Sequence, residues 1–241
     1  MDKVIEINGL TKLYKNARGI TDLSLDVERG EIFGLLGPNG SGKTTTMKVM
    51  TGLMKPNAGT VKLFGHDIHI DFEKAMVRTG AIVESPEHYL YMTAIDNLRQ
   101  TARYYPDINN SRIDEVLELC GLIQFKNEKV KGFSLGMKQR LGIAMAIVHK
   151  PELIILDEPL NGLDVEGMIY VRNMLKHLAE QDKVTVFLSS HLIHDVELTC
   201  TRVGIVLQGK LRAVESMSDI LKSFDSLENY FVNEVEKNAA I

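Results

Sequence analysis

Residues 37–44 combine glycines, one lysine and a hydroxyl group at a spacing that suits phosphate binding. They read Gly37-Pro38-Asn39-Gly40-Ser41-Gly42-Lys43-Thr44, which fits the pattern GxxxxGK[ST], and Thr45 follows. The glycines let successive backbone N–H groups turn towards phosphate oxygens, and the start of a helix adds a positive dipole end. Lys43 can reach the terminal phosphates of a nucleotide, and the Thr44 hydroxyl can ligate Mg²⁺. The loop therefore predicts nucleotide binding by residues 37–45.

Two acidic residues follow an apolar run later in the chain. Asp157 and Glu158 come directly after residues 153–156, which read Leu-Ile-Ile-Leu. Because open α/β sheets bind their ligands at the carboxyl ends of strands, we expect both acids beside the glycine loop. Asp157 is then expected to hold Mg²⁺ through its water shell. Glu158 is expected to polarise the water that attacks the γ-phosphate.

Ser134 and Gly136 mark a second helix start that could approach phosphate. The side chain of Ser134 is expected to cap a helix, and Gly136 allows another group to come close to the backbone. Taken alone, this pattern favours a capped structural helix over a binding site.

Strands alternate with helices around these residues. A buried strand is predicted over 31–36, before the loop, and a helix over 43–51. A helix is predicted over 165–181, between strands at 153–156 and 184–189. This alternation indicates an α/β fold with a parallel sheet, which a mainly helical stretch interrupts. Further strands are predicted at 4–7, 23–27 and 59–64, and a hairpin is predicted at 203–214. Helices are predicted to begin with caps at Thr93 and Ser111, and one amphipathic helix is predicted in the tail after Ser216.

Composition and charge exclude several classes of protein. The 241 residues carry a net charge of -4, so no global basic field for nucleic acid exists. The two cysteines form no CxxC pattern, which argues against a disulfide framework or a zinc ribbon and favours the reducing cytosol. The N-terminus lacks the apolar run of a signal peptide, and no stretch approaches the roughly 18 apolar residues of a spanning helix. We expect a chain that does not cross a membrane by itself.

The order of these motifs resembles that of the ATP-binding subunits of ABC transporters, over about residues 3–215. Phe133-Ser134-Leu135-Gly136-Met137 stands where that family has its signature LSGGQ, as a divergent copy that keeps the serine and the second glycine. The resemblance implies that Tyr14 stacks on adenine and that His191, in Ser189-Ser190-His191, contacts the γ-phosphate. It also implies that Asp164, in Asn161-Gly162-Leu163-Asp164, lies at a dimer interface where Ser134 and Gly136 bind nucleotide.

Glu84 departs from the wider family, which mostly carries glutamine there as a ligand of Mg²⁺. Together with the Ser-Leu-Gly-Met-Lys-Gln signature, this substitution resembles the branch that serves bacitracin resistance and lantibiotic immunity. A carboxylate should hold Mg²⁺ more tightly than an amide, because hard cations prefer charged oxygen. A protonated or rotated Glu84 would instead behave much like glutamine, and the sequence is compatible with both.

The resemblance implies a P-loop NTPase (RecA-like) α/β core with an N-terminal antiparallel β subdomain. A helical subdomain is expected at about residues 85–150 within an ATP-binding domain at 1–215, followed by a helical tail at 216–241. The implied function is to bind and hydrolyse ATP with Mg²⁺ and so to power an exporter of peptide antibiotics or other amphipathic compounds. Implied partners are transmembrane permease subunits and a second copy in a head-to-tail dimer, with no nucleic acid. The implied location is cytoplasmic, peripheral on the cell membrane through the permease.

One alternative is a soluble ABC-type ATPase that acts mechanically or as a regulator on ribosomes or DNA. Such proteins usually contain two cassettes or a long coiled coil, and the stretch between Thr44 and Ser134 is too short for one. A nucleotide sensor that does not hydrolyse would lack Glu158 or His191, and both residues are present.

Overall fold

The computed structural model describes residues 2–15 and 18–239 of the chain. The strands in these ranges are β1 (Lys3–Leu13), β2 (Gly19–Glu28), β3 (Ile32–Leu36), β4 (Ala58–Leu63), β5 (His66–Asp67), β6 (Thr79–Ile82), β7 (Leu153–Leu156), β8 (Thr185–Ser190), β9 (Arg202–Leu207) and β10 (Lys210–Ser216). The α-helices are α1 (Lys43–Met50), α2 (Phe72–Met76), α3 (Ala94–Ala102), α4 (Asn110–Leu119), α5 (Leu135–Ile147), α6 (Val165–Glu180), α7 (Ile193–Thr199), α8 (Met217–Ser223) and α9 (Leu227–Ala239).

A six-stranded sheet in the order β10-β9-β3-β8-β7-β6 forms the centre of the fold. Its strands pair in parallel except for β10, which pairs antiparallel with β9. All five residues of β3 are buried, because apolar layers cover both faces of the sheet. Ile32 and Leu36 pack with the helices of one layer, whereas Phe33 and Leu35 pack with the other layer, which includes α1. The predicted parallel α/β core is confirmed.

The second sheet has four antiparallel strands in the order β2-β1-β4-β5. The apolar side chains of β1, β2 and β4 share one buried cluster with α1 and with Phe33 and Phe187 of the central sheet. The rings of Phe33 and Phe187 stack with their centroids 5.4 Å apart. The predicted antiparallel portion near the N-terminus is therefore confirmed, and it packs on the side of the central sheet that carries α1.

Helices α3, α4 and α5 lie between β6 and β7 in the chain. The Thr93 side chain accepts a hydrogen bond from the Asp96 N–H and caps α3, as predicted. The predicted cap at Ser111 is wrong. Asn109 caps α4 by accepting a hydrogen bond from the Arg112 N–H at 3.0 Å, which places Ser111 inside the first turn. The boundaries 85–150 and 1–215 stay predictions.

The tail contains two helices where the sequence predicted one. Phe224 adopts an extended conformation that ends α8, and the Ser226 hydroxyl accepts a hydrogen bond from the Asn229 N–H at the start of α9. The Leu227 N–H donates to the Glu197 carboxylate at 2.6 Å, which holds α9 against α7. Among the helices within the described ranges, none combines the length and apolarity that a bilayer crossing requires.

Candidate nucleotide-binding and hydrolysis site

The glycine loop connects β3 to α1, as predicted, and its path depends on two glycines. A Cβ at Gly37 would lie 2.2 Å from the Val206 carbonyl oxygen, so the backbone leaves β3 where no side chain fits. Gly42 has φ +109°, and a Cβ there would lie 2.3 Å from Cγ2 of Ile20. The loop thus curls tightly into α1, which brings Lys43 and Thr44 to the start of that helix.

Lys43 lies inside the curl of this loop. Its side chain is 5% exposed, and Nζ donates to the carbonyl oxygens of Gly37 (2.7 Å) and Pro38 (3.3 Å). Nζ also lies 3.2 Å from Oε1 of Glu158. A buried ammonium needs such partners to offset its lost hydration. The cation is therefore fixed among the backbone groups of the loop and beside an acid.

A cavity of about 360 Å³ opens in front of the loop, within the range of small-ligand sites. Arg18 and Gly19 lie on its wall, and Asn161 adds an amide side chain. Eight residues predicted from the sequence also line it: Tyr14, Asn39, Gly40, Gly42, Lys43, Thr44, Thr45 and Glu158. The structure thus brings the predicted aromatic, the loop and the predicted acid to one cavity.

Tyr14 stands at the side of this cavity and is 42% exposed. Its hydroxyl lies 3.2 Å from Oγ1 of Thr45 and donates to the sulfur of Met54 at 3.6 Å. These contacts fix the outer end of the ring while leaving much of its surface accessible. Such a ring can stack on a planar base.

The Glu158 carboxylate lies between two basic groups. Oε1 faces Lys43, and Oε2 lies 2.9 Å from Nδ1 of His191. Glu158 also has φ +49°, a left-handed conformation that is uncommon for a residue with a side chain. The turn after β7 and the end of β8 therefore place an acid beside the loop lysine and an imidazole beside that acid.

Asp157 is almost fully buried at the end of β7. Its Oδ1 accepts a hydrogen bond from the Ser189 hydroxyl at 2.6 Å, and its Oδ2 accepts one from the Glu84 N–H at 3.3 Å. Sequence reasoning missed the role of Ser189. The only signal was a hydroxyl two residues before His191 at the end of a predicted strand.

The Glu84 side chain forms an ion pair with Lys48, which the sequence analysis did not predict. Its Oε1 lies 2.6 Å from Nζ of Lys48 on α1, and this hydrogen bond raises the pKa of Lys48. The Glu84 side chain is 64% exposed, and its backbone has φ +69°. Glu84 therefore contacts Asp157 through its backbone and α1 through its carboxylate.

Ser134, Gly136 and Asp164 lie outside the cavity that holds Lys43. Ser134 caps α5 by accepting from the Met137 N–H at 3.2 Å, and Asp164 caps α6 by accepting from the Gly167 N–H at 3.0 Å. These two helix starts are neighbours, since a Cβ at Gly162 would lie 3.0 Å from Cδ2 of Leu135. The residues predicted to bind nucleotide thus form two groups within one chain, one around Lys43 and one at the starts of α5 and α6.

The donor set beside the loop fits Mg²⁺. The Thr44 hydroxyl and the Asp157 carboxylate offer hard oxygen atoms, which this ion prefers. Within residues 2–15 and 18–239, no three His, Cys, Asp or Glu side chains cluster as metal ligands. Mg²⁺ usually takes only one or two protein carboxylates and completes its shell with substrate phosphates and water.

Comparison with known proteins identifies the family. The sequence profile described as ABC transporter matches residues 20–161, more than half of the chain. The chain belongs to the ABC transporter family. The bacitracin transport ATP-binding protein BcrA of Bacillus licheniformis is 43% identical, over 88% of this chain and 69% of the relative. The lantibiotic transport ATP-binding protein SrtF of Streptococcus pyogenes is 32% identical, over 96% of this chain and 97% of the relative.

A solved structure agrees in fold. It is described as the dimeric post-hydrolysis state of the ATP-binding cassette MJ0796 bound to ADP and Pi. It superposes with a TM-score of 0.79 at 25% identity, covering 88% of this chain and 98% of the other. The resemblance inferred from the motifs is confirmed, including its branch. The chain is an ABC ATP-binding subunit with ATPase activity, from a family whose ATP-binding subunits dimerise and work with permeases.

Proposed function

We propose that ATP binds in the cavity in front of residues 37–45 and is hydrolysed there by Glu158. The main support for this proposal is that Glu158 contacts both Lys43 and His191. Lys43 donates to the β- and γ-phosphates, and the N–H groups of the loop and of the start of α1 surround them. Tyr14 stacks on the adenine. Glu158 accepts a proton from the attacking water, and His191 donates to the γ-phosphate.

Mg²⁺, when bound, neutralises charge that develops on the phosphate oxygens during transfer. We infer that Thr44 and Asp157 hold this ion, with Glu84 as a further ligand. Both Asp157 oxygens already accept hydrogen bonds, from Ser189 and from the Glu84 backbone, which orients the carboxylate. In the structure Oε1 of the Glu84 carboxylate binds Nζ of Lys48, a cation that would compete with the ion for this ligand.

We infer that Ser134, Gly136 and Asp164 act on the nucleotide of a second copy. They surround two adjacent helix starts, away from the cavity of their own chain. In a two-fold, head-to-tail dimer, the starts of α5 and α6 in each copy would face the glycine loop of the other copy. Two ATP molecules would then lie at one interface. Leu135 and Val165 are 58% and 69% exposed at these helix starts, so apolar surface is available for that interface.

We propose that this ATPase powers export of peptide antibiotics or other amphipathic compounds. The similarity to a bacitracin transport protein and to a lantibiotic transport protein supports this cargo class. Separate polytopic chains would supply the pore, and the subunit would bind them on the cytoplasmic face of the membrane. The division into an ATP-binding domain at 1–215, with a helical subdomain at 85–150, and a tail at 216–241 belongs to the same proposal.

Disruption of the gene tests the transport role. The disrupted strain should become more sensitive to bacitracin or to a lantibiotic. A copy encoding the unchanged chain should restore resistance, and a Glu158→Gln copy expressed at the same level should not. Co-purification with a polytopic membrane protein encoded next to this gene would identify the permease. Restoration of resistance by the Glu158→Gln copy would contradict the proposal.

A further inference from the structure

Ser189 is a buried hydroxyl that contacts both acids of the candidate site. It is fully buried near the end of β8, where Leu188 pairs in register with Leu156 of β7. One step further along both strands, Ser189 lies beside Asp157. Its Oγ donates to Oδ1 of Asp157 at 2.6 Å and accepts from the Glu158 N–H at 2.9 Å. One side chain thus binds two consecutive residues of the neighbouring strand end.

The bond to Glu158 fixes a turn that the backbone would not favour by itself. Glu158 has φ +49°, a conformation that is costly for a residue with a side chain and needs support from its surroundings. Its N–H is held by Ser189, and its carbonyl oxygen accepts from the Asn161 N–H at 3.1 Å. The turn is therefore held on both sides, and its conformation directs the carboxylate to Lys43 and His191.

The bond to Asp157 fixes the direction of a carboxylate. Ser189 holds Oδ1, so Asp157 cannot rotate without losing a short hydrogen bond to a charged oxygen. The remaining lone pairs of the carboxylate then face a defined direction. Metal ligands are commonly oriented in this way by a hydrogen-bonded neighbour that does not touch the ion.

We propose that Ser189 is a positioning residue for ATP hydrolysis. It sets the Asp157 carboxylate and the Glu158 backbone relative to each other through one hydroxyl, without contacting nucleotide or metal. The inference rests on the function proposed for Asp157 and Glu158. Among the residues that the structure describes, the Ser189 hydroxyl bonds to Asp157 and Glu158 and to no residue of the glycine loop, so phosphate binding should depend on it far less than turnover does.

The test compares Ser189→Ala and Ser189→Thr in the full chain with a matched control. Thr185→Ala removes another fully buried hydroxyl from β8, at the end remote from the site, where it accepts from the Gly30 N–H. Steady-state ATPase assays give kcat and KM. A fluorescent ATP analogue titrated in EDTA measures nucleotide affinity. Mg²⁺ is then titrated onto the chain saturated with a non-hydrolysable ATP analogue. The Mg²⁺ concentration at half-saturation, called the Mg²⁺ midpoint, measures metal affinity without turnover.

For Ser189→Ala we expect kcat to fall about tenfold to a hundredfold, since each lost bond involves a group that must stay oriented. The KM for ATP and the affinity for the ATP analogue in EDTA should stay within about twofold of their values in the unchanged chain. The Mg²⁺ midpoint should rise. Ser189→Thr, which keeps the hydroxyl, should recover most of kcat, and Thr185→Ala should keep the kcat of the unchanged chain.

Two outcomes overturn the inference. Unchanged kcat and Mg²⁺ midpoint in Ser189→Ala would show that the hydroxyl positions nothing. Equal losses in Ser189→Ala, Ser189→Thr and Thr185→Ala, with lowered melting temperatures, would show a general packing effect. ATPase activity of the unchanged chain that does not depend on Lys43 would instead contradict the proposed function, so the two failures can be told apart.

Discussion

The ammonium nitrogen of Lys43 lies 3.2 Å from Oε1 of Glu158, so the cation of the glycine loop contacts the acid that follows β7. Nζ also donates to two loop carbonyls, and Oε2 of Glu158 faces His191. Phosphate oxygens that bind Lys43 must compete with these partners for its N–H groups. Release of Glu158 from Lys43 would leave the carboxylate available to water. The arrangement thus couples phosphate binding to the availability of the acid.

Glu158→Gln should bind MgATP and fail to hydrolyse it. The amide keeps the shape of the side chain but cannot take a proton, so turnover should fall by a factor of about 10²–10⁴. ATP should then hold two copies together, because the closed dimer cannot proceed to products. Size-exclusion chromatography with light scattering measures the dimer, and phosphate release measures turnover.

The control for this variant is Glu73→Gln, which removes an exposed carboxylate from α2 outside the cavity. It should hydrolyse ATP like the unchanged chain. Hydrolysis by Glu158→Gln at the parental rate would show that Glu158 is not the catalytic acid–base group.

Glu84→Gln should separate basal activity from transport. Ligation by a carboxylate gains Coulomb energy, but much of this gain offsets desolvation of the acid. We therefore expect ATP binding and most of the basal ATPase activity to persist. Transport or cargo-stimulated ATPase should weaken more, because Glu84 lies between β6 and α3 and links the acid at the end of β7 to the helical part of the chain. A paired assay of basal hydrolysis and antibiotic resistance measures both, and equal loss of the two would make Glu84 simply a metal ligand.

The Lys48–Glu84 ion pair should tune Mg²⁺ binding more than it stabilises the fold. The Glu84 side chain is 64% exposed, so loss of the pair should cost less than about 1 kcal/mol of unfolding free energy. Lys48→Met frees the carboxylate, and the Mg²⁺ midpoint with a non-hydrolysable ATP analogue should fall. In a Glu84→Gln background the same substitution should shift the midpoint much less, since only the weaker effect of the Lys48 charge on Asp157 then remains. An equal shift in both backgrounds would show that Lys48 does not act through Glu84.

Glu152 should make stability depend on pH in the acid range. Hydrogen bonds from Arg78 and Arg29 lower the pKa of Glu152 to about 2, from an ordinary value of 4.5. A carboxyl with a lowered pKa in the folded state stabilises the fold above its unfolded pKa, and this contribution disappears as the pH falls towards 2. The unfolding free energy of Glu152→Gln should therefore lie below that of the unchanged chain at pH 6, and the gap should narrow by pH 3. Urea titrations at both pH values measure it, and a constant gap would contradict the assignment.

The glycine loop and the two acids could be predicted because each is a local motif at a strand end. The contacts Ser189–Asp157 and Lys48–Glu84 could not, since they depend on strand order and register across distant parts of the chain. The bounds of β6 could not be predicted, because its four residues include a glycine and barely alternate. The structure needs that glycine, as a Cβ at Gly80 would lie 2.0 Å from the Ala146 carbonyl oxygen.

The tail was predicted as one helix because its apolar residues recur at helical spacing through the break. Phe224 fits that spacing, but its backbone is extended, and its ring packs against Tyr230 with the centroids 5.3 Å apart. Tertiary packing of this kind overrides local periodicity.

The most direct test of the nucleotide site is ATP binding and turnover by Lys43→Ala, beside the control Lys55→Ala, which removes an exposed lysine. Removal of the buried ammonium takes away the side-chain cation fixed by the loop carbonyls, so a fluorescent ATP analogue should bind at least about tenfold more weakly. Turnover should be lost, whereas Lys55→Ala should match the unchanged chain in both measurements. Unchanged ATP affinity and turnover in Lys43→Ala would contradict the assignment of this loop as the nucleotide site.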